Sequence, residues 1–164
     1  MSGFRKHSYF LTNRHSNIAM SLQTDRIFIK ALSSSEQIYE KVEDRIYPTT
    51  IAVPEKDMKN EPLPYIAVEF VDLTNQGLNK DSYEGDYDQV DISVVIAAET
   101  RENLADLAEL ARTTIRDYFE NIDEEDEDAD LVPLDYEFTA SAVKYDDEKP
   151  CFWQILSYDC DTKK

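Results

Sequence analysis

Acidic residues are the most abundant groups with chemical potential in this chain, and they are concentrated after residue 122. Seven of the eight residues in 123–130 are Asp or Glu. Such a run suggests a calcium site, but calcium loops alternate their ligands and use a glycine to turn the chain. The run at 123–130 contains no glycine and carries nearly continuous like charge. This pattern favours a solvated, mobile linker over a metal site.

The other reactive side chains do not form a recognisable catalytic arrangement. The sequence has no Gly-rich phosphate loop, no nucleophile elbow and no Cys or His spacing typical of a metal site. His7 and His15 lie in a terminal segment, which is a poor place for a positioned general base. Asp88 and Asp91 are three residues apart on an alternating stretch, so they point to opposite faces. We therefore expect no enzyme activity, no metal and no cofactor.

Composition places the chain among folded, strongly acidic proteins. Its 164 residues fit one domain, 41% of them are hydrophobic, and the formal net charge is -18. This charge argues against nucleic acid as a direct ligand, since phosphate binding needs the opposite sign. Cys151 and Cys160 are too far apart on an extended strand to pair, which indicates reduced thiols. The sequence contains no membrane-length apolar run and no signal-peptide core, so we expect a soluble protein made in the cytoplasm.

A strand followed directly by a long helix, over residues 87–122, is the strongest structural signal. Val90, Ile92, Val94 and Ile96 alternate with polar residues, as in a sheet with one covered face. After 99–100 the apolar residues recur every three or four positions, which predicts an amphipathic helix of about five or six turns. Thr100 is the expected N-cap, and the helix should stop near residue 122 because acids follow its C-terminus.

Shorter elements are expected on both sides of this unit. In chain order they are a helix at 21–32, a short helical piece at 36–42, an extended stretch at 45–48, a strand at 64–72, and two strands at 134–145 and 151–160 that form a hairpin. Ser21 or Thr24 should cap the first helix. The buried face of the last strand is left open, because apolar residues such as Trp153, Ile155 and Leu156 occupy both faces.

Two segments are candidates for contacts with other proteins. Residues 1–20 carry Arg5, Lys6 and Arg14 and no acid, and we expect a flexible arm ahead of a single α+β domain at 21–164 with an acidic insert at 123–130. Alternatively, the arm docks on an acidic neighbouring subunit, or Met20 is an internal start and the arm is dispensable.

The second candidate is a long excursion between strands at 74–86. It contains Gly77 and Gly85, two of the chain's three glycines, together with the apolar Leu78 and Tyr83. Such a loop is longer than a tight hairpin requires, which suggests a function. Arg5, Lys6, Arg14, Gly77, Leu78, Tyr83 and Gly85 are therefore the predicted interface residues.

The order of these features resembles a known family. A helical segment leads to Arg45-Ile46-Tyr47-Pro48, then to Pro64-Tyr65-Ile66-Ala67-Val68, a loop ending in Gly85, the alternating strand, Glu99-Thr100 and the amphipathic helix. Over residues 22–122 this order is similar to the tail terminator or tail-completion proteins of long-tailed bacteriophages and to the related head-tail joining proteins. The chain departs from the family in its basic arm and acidic insert, which leave the register of the closing hairpin open.

The resemblance implies both a fold and a role. The implied fold is α+β, a mostly antiparallel sheet of about four to five strands covered by one long helix, with a short N-terminal helix. The implied role is a structural one in the virion tail, assembled in the cytoplasm of the bacterial host. There a ring homo-oligomer, typically a hexamer, caps the tail tube protein and joins the tube to the head connector protein.

Two questions remain open at the level of sequence. One is an alternative function: an acidic protein-binding adaptor, or a nucleic-acid-mimicking inhibitor of a basic partner, would also suit the charge. The other is the place of residues 123–130 in a ring. They would repel DNA phosphates if they line a channel, or bind a neighbour's basic arm if they face outward.

Overall fold

The computed structural model describes residues 20–48, 62–75 and 87–163. Within these ranges the helices are α1 (Thr24–Ser33), α2 (Glu36–Val42) and α3 (Arg101–Asn121). The strands are β1 (Ile46–Pro48), β2 (Tyr65–Asn75), β3 (Tyr87–Ala98), β4 (Asp135–Ala140), β5 (Lys144–Asp146) and β6 (Cys151–Lys163). Two short 3-10 turns, Met20–Gln23 and Ala129–Leu131, precede α1 and follow α3.

The strand–helix unit predicted from the sequence is confirmed. β3 spans Tyr87–Ala98, and α3 follows after two residues and runs for 21 residues. The Thr100 side chain accepts a hydrogen bond from the Asn103 backbone N–H at 3.0 Å, so it caps α3. Ile122 has extended backbone angles and ends the helix where the acidic segment begins.

The sheet has the strand order β1-β2-β3-β6-β4, and β5 also pairs with β6. β1 is parallel to β2, whereas the other pairs are antiparallel. The fold is therefore α+β, as predicted, and the sheet is mostly antiparallel, but it has six strands rather than four to five and includes one parallel pair. One added strand is β1, which the sequence predicted only as an extended stretch and which lies parallel to β2.

A serine accounts for the other extra strand. The predicted strand at 134–145 is divided into β4 and β5, although both pieces pair with β6 and so confirm a closing hairpin. At the break, the Ser141 hydroxyl accepts a hydrogen bond from the Ile155 N–H at 3.0 Å. The Ile155 N–H is therefore bonded to a side chain rather than to a backbone carbonyl of the neighbouring strand.

The start of α1 differs from the prediction. Its N-cap is Gln23, which makes no side-chain capping bond. The Thr24 hydroxyl instead donates to the Ser21 carbonyl at 2.7 Å, and the Ser21 hydroxyl donates to the Asp88 carboxylate. Neither Ser21 nor Thr24 caps the helix, because a distant acid and a preceding turn occupy their hydroxyls.

The core lies between the three helices and one face of the sheet, hereafter the inner face. It contains Ile27, Phe28, Ala31 and Leu32 of α1, Ile38 and Val42 of α2, the even-numbered apolar residues of β3, and Leu104, Leu107, Ala111 and Ile115 of α3. The predicted contact between α3 and β3 is thus confirmed. On β6 the inner face is formed by Leu156, Tyr158 and Cys160, which settles the open question about that strand.

Truncating the centre of this core should destabilise the protein strongly. Leu107 is 1% exposed, so Leu107→Ala is expected to cost about 2–5 kcal/mol in the free energy of unfolding, through lost burial and a residual cavity. Urea unfolding measures this cost. The matched control is Leu134→Ala, since Leu134 is 58% exposed and its truncation should have little effect. Equal midpoints for the two variants would contradict the described packing.

Candidate interaction surface

The face of the sheet opposite the helices, hereafter the outer face, divides into an acidic and an apolar half. Residues paired across antiparallel strands point to the same side of a sheet, so the strand register defines rows of neighbours. One row contains Asp72 of β2, Asp91 of β3, Asp159 of β6 and Glu137 of β4. Four carboxylates therefore lie side by side across four strands.

A second row of polar residues extends the acidic half towards the end of the sheet. It pairs Thr74 with Gln89, Gln89 with Asp161 and Asp161 with Asp135. A β-bulge between Phe70 and Asp72 aligns the row of four carboxylates. Its extra residue shifts the register of β2, so that Asp72 lies opposite Asp91.

Burial and the charges of neighbouring acids together raise the pKa of two carboxyl groups in these rows. Partial burial, then a hydrogen bond with Asp159 and the charges of Asp159 and Asp72, raise the pKa of Asp91. Partial burial, followed by the charges of Asp135 and Asp159, raises the pKa of Asp161. The Gln89 amide donates to the Asp159 carboxylate at 2.9 Å, which is a neutral contact. Like charges that face each other across strands destabilise a sheet, so a cationic partner would stabilise this half.

The other half of the outer face is apolar and aromatic. Its rows pair Tyr65 with Ala97 and Ala97 with Trp153, and then Ala67 with Val95 and Val95 with Ile155. None of these residues belongs to the core under the helices or packs against it.

Aromatic rings and two lysines complete the apolar half. The ring of Tyr47 lies 6.2 Å from that of Tyr65, while Lys144 and Lys149 lie 5.0 and 5.4 Å above Trp153 and Tyr65. Ala67 and Ala97 of this half are 2% and 0% exposed, and Tyr65, Val95, Trp153 and Ile155 are half-buried, so the apolar half is largely covered in the folded chain.

The interface residues predicted from the sequence lie outside the described residues. This holds for Arg5, Lys6 and Arg14 of the arm and for Gly77, Leu78, Tyr83 and Gly85 of the excursion. The structure does bring together the described residues that flank these two segments. Asp88, at the start of β3, accepts hydrogen bonds from Ser21 and, at 2.7 Å, from the Asn75 amide. The 4% exposed Asp88 thus joins the chain after residue 19 to both sides of the gap at 76–86.

The acidic segment after α3 is folded and partly neutralised, which corrects the prediction of a solvated, mobile linker at 123–130. Lys30 of α1 lies 3.3 Å from Asp126 and 2.8 Å from Asp128, and Arg26 lies 3.5 Å from Asp128. The Asp128 side chain is only 6% exposed. The acids at 126 and 128 therefore bind their own domain.

The pKa values of Asp126 and Lys30 shift in the directions that favour their charged forms. A hydrogen bond from the Asp128 backbone N–H, aided by Lys30, lowers the pKa of Asp126 despite some burial. Burial by itself would lower the pKa of Lys30, but the hydrogen bonds and charges of Asp128 and Asp126 outweigh it and raise the pKa. The contribution of Asp126 to stability is present above its ordinary pKa and lost as pH falls through the lowered value.

In the ranges that the structure covers, no group of three or more His, Cys, Asp and Glu is placed to hold a metal ion. No helix in those ranges is long and apolar enough to cross a membrane. Cys151, at the start of β6, and Cys160, nine residues further along it, are free and buried, and burial raises the pKa of both thiols.

Comparisons with known proteins show a shared fold at low sequence identity. No protein-family model and no curated protein sequence matches the chain. Among solved structures 29 chains match. One of them is described as "Virion of native gene transfer agent (GTA) particle"; it is 13% identical, with a TM-score of 0.59, and the match covers 85% of this chain and 94% of that chain. At this identity the likeness establishes the fold alone.

The division of the outer face into an acidic and an apolar half was not predicted from the sequence. Asp91, Asp159 and Asp161 each alternate with core residues, and this signal was readable from the sequence. Their alignment into rows was not readable, because it depends on the register of four strands.

Removing the buried acid of the ion cluster should weaken the fold. Asp128→Ala removes the closest partner of Lys30 and one partner of Arg26, and we expect a loss of about 1–3 kcal/mol in the free energy of unfolding. Chemical denaturation measures the loss. Asp130→Ala is the control, since the exposed Asp130–Lys163 pair should contribute ~0–1 kcal/mol. A larger loss for Asp130→Ala than for Asp128→Ala would refute the assigned anchor.

Neutralising one acid of the row should have the opposite effect, and the effect should depend on pH. The folded chain holds the Asp91 proton more tightly than the unfolded chain, so Asp91 favours folding only at acid pH, and this contribution is lost as pH rises through the raised pKa. Asp91→Asn should therefore gain stability relative to the unmodified chain as pH rises from about 3 to 7, by up to ~1 kcal/mol.

The measurement is thermal or urea unfolding of both proteins across that pH range. Asp106→Asn, on the exposed side of α3, provides the control for removing one carboxylate. A stability difference for Asp91→Asn that does not change with pH would count against repulsion in the row.

Proposed function

We propose that this protein is a structural subunit of a phage-like virion, and that it assembles into a ring, typically a hexamer, that caps the tail tube and joins it to the head connector. The observation that carries the proposal is the fold shared with a chain of a gene transfer agent virion over 85% of this chain and 94% of the other. The family resemblance of residues 22–122 supplies the finer role of tail terminator or tail-completion protein.

A ring requires two different surfaces on each subunit that bind each other and close by rotation. The sheet has two different edges that suit such a contact. At one edge, β1 pairs only with residues 66–68 of β2, so residues 69–74 have no strand on that side among the described residues. At the other edge, β4 pairs only with β6. β4 and β2 run in opposite directions within the sheet, so a head-to-tail junction between subunits would be antiparallel.

Val71 is the apolar residue that marks the first of these edges. It is the extra residue of the bulge in β2 and is 50% exposed. Exposed edges are usually protected against pairing, and an exposed apolar side chain on an edge is suited to a specific contact. In this proposal the tail tube protein and the head connector protein bind the two ends of the ring, and the protein acts by assembly rather than by catalysis.

The carboxylate rows favour a second candidate function. A row of four acids on an exposed sheet face, in a chain of net charge -18, would also suit an acidic adaptor or a nucleic-acid-mimicking inhibitor that binds a basic protein. Such a protein would act without forming a ring. Its oligomeric state therefore distinguishes it from the tail assembly protein.

The proposal predicts a closed oligomer whose mass is a multiple of the 19.0 kDa chain mass, about sixfold for a hexamer. Light scattering after gel filtration, followed by electron microscopy of the peak, measures this. Val71→Asp should break the ring, because it places a charge on the contact edge. Leu22→Asp is the matched control, since Leu22 is 51% exposed in the turn Met20–Gln23 and belongs to no strand of the sheet. A monomer at all concentrations, with or without the tail tube protein, would refute the ring and favour the acidic adaptor.

A further inference from the structure

Tyr145 is an exposed aromatic residue on an edge strand. Among the described residues β5 pairs only with β6, and Tyr145 lies opposite Phe152. The two rings pack with their centroids 5.0 Å apart, which limits the freedom of the Tyr145 side chain, yet Tyr145 remains 52% exposed. A side chain that is already restrained loses little conformational entropy when a partner covers it. Tyr145 therefore has the properties of a binding residue in an interface.

A cavity at the opposite edge of the sheet has the size to receive such a ring. It has a volume of about 260 Å³ and lies where α1, α2 and β1 meet. Cavities of roughly 150 Å³ already accept a benzene ring, so this one accommodates a phenol ring. Its apolar lining consists of Leu32, Tyr39 and Ile46. Leu32 is fully buried and Tyr39 is 60% exposed, so the cavity extends from the core to the surface.

Two acids, Glu43 and Asp44, complete the lining between α2 and β1. Glu43 has a φ of 56°, a value that residues other than glycine rarely adopt, and its carboxylate binds Arg45 at 3.0 Å. Strained backbone of this kind is concentrated at binding sites. Asp44 is exposed and forms no ion pair within the described part of the chain. Its carboxylate can therefore accept a hydrogen bond from a hydroxyl group that enters the cavity.

The cavity and Tyr145 lie at matching positions on the two edges of the sheet. The strand register places Tyr145 in one row with Phe152 and Ala98 on the inner face. Ile46 belongs to the next inner row, about 7 Å further along the strands. A rotation about an axis roughly parallel to the strands preserves both the height along the strands and the face of the sheet. Copies related in this way bring Tyr145 of one close to the cavity of the next.

We propose that Tyr145 of one copy of the chain occupies the cavity of a second copy, so that its ring covers Leu32 and Ile46 and its hydroxyl donates a hydrogen bond to Asp44. This inference rests on the proposed ring and assigns residues to its subunit contact. The contact joins two different surfaces, so it repeats from copy to copy and closes by rotation, as a ring requires. β1 and β5 run in opposite directions, like β2 and β4 at the proposed junction.

The contact cannot form within one chain. β1 and β5 are separated by β2, β3 and β6, so four strand spacings, about 19 Å, lie between them. The Tyr145 side chain is too short to cross this distance to the cavity of its own domain. A link between position 145 and the cavity therefore reports on two copies.

Disulfide trapping in the full-length chain tests the contact. Tyr39→Cys and Tyr145→Cys are combined in one chain, which places one thiol at the cavity and one on β5. Mild oxidation of the assembled protein should give a ladder of covalent oligomers on a non-reducing gel, because each copy bonds two neighbours. The matched control combines Leu22→Cys with Tyr145→Cys. Leu22 is 51% exposed but lies outside the sheet, so the control should give no product larger than a dimer. The native thiols, Cys151 and Cys160, are buried.

Substitutions on both sides of the contact measure its strength. Tyr145→Ser removes the ring and should raise the dissociation constant of assembly about tenfold or more, as for an aromatic residue at the centre of an interface. Tyr145→Phe keeps the ring and should have a smaller effect. Ser33→Trp fills the cavity from the end of α1 and should match Tyr145→Ser. Leu22→Ser is the control and should leave assembly unchanged. Analytical ultracentrifugation measures the assembly, and circular dichroism checks the fold of every variant.

Three results would overturn the proposal. A ring that gives no ladder after oxidation, and that assembles equally well with Tyr145→Ser, would refute this contact and leave the proposed ring in place. A monomer at all concentrations would refute the contact and the ring together. A disulfide between positions 39 and 145 of a single chain would contradict the separation of the two edges. The first two results are distinguished by the mass of the assembly before oxidation.

Discussion

The pairing of β3 on both sides is the constraint on which the other elements depend. β3 pairs with β6 over its whole length and with β2 over most of it, and its even-numbered apolar residues pack under α3. A shift of one residue would move these side chains to the opposite face, so burial under α3 fixes the register. That register also places Asp91 between Asp72 and Asp159. The same constraint therefore buries the core and aligns the carboxylates of the outer face.

Features set by local periodicity or by short-range bonds could be predicted from the sequence. β3, α3 and the Thr100 cap are of this kind, since the capping bond spans three residues. Features that depend on distant partners could not. The Ser21 hydroxyl bonds an acid 67 residues away. The buried face of β6 could not be chosen because Trp153 and Ile155, on the outer face, are as apolar as Phe152 and Leu156 on the inner face. For the candidate surface, only its acidic composition was predictable.

Two local features cost free energy of folding: the unpaired hydroxyl of Tyr158 in the core and the neighbouring carboxylates of the outer face. The Tyr158 hydroxyl is buried in an aromatic cluster and has no hydrogen-bond partner in the described part of the chain. An unpaired buried donor costs about 1–3 kcal/mol, which the burial of a large ring offsets. The repulsion among Asp72, Asp91 and Asp159 has no such local compensation, because these side chains bury little area. A cost without local compensation is more readily explained by a partner on the outer face than by the fold.

Asp88 connects the fold to both contact segments that the sequence suggested. A buried carboxylate is stable only when it is well hydrogen-bonded, and this one receives bonds from Ser21 and Asn75, which flank the segments at 1–19 and 76–86. Ser21 and Asn75 therefore lie at the end of the sheet where the polar rows are, but they bond Asp88 from its inner face. The edge of β2 with Val71 continues towards the same end, since β2 finishes at Asn75. Partners bound at the edge of β2 and partners bound on the outer face would thus lie close together at this end of the sheet. A change in the charge at one contact would then change the electrostatic energy of the other.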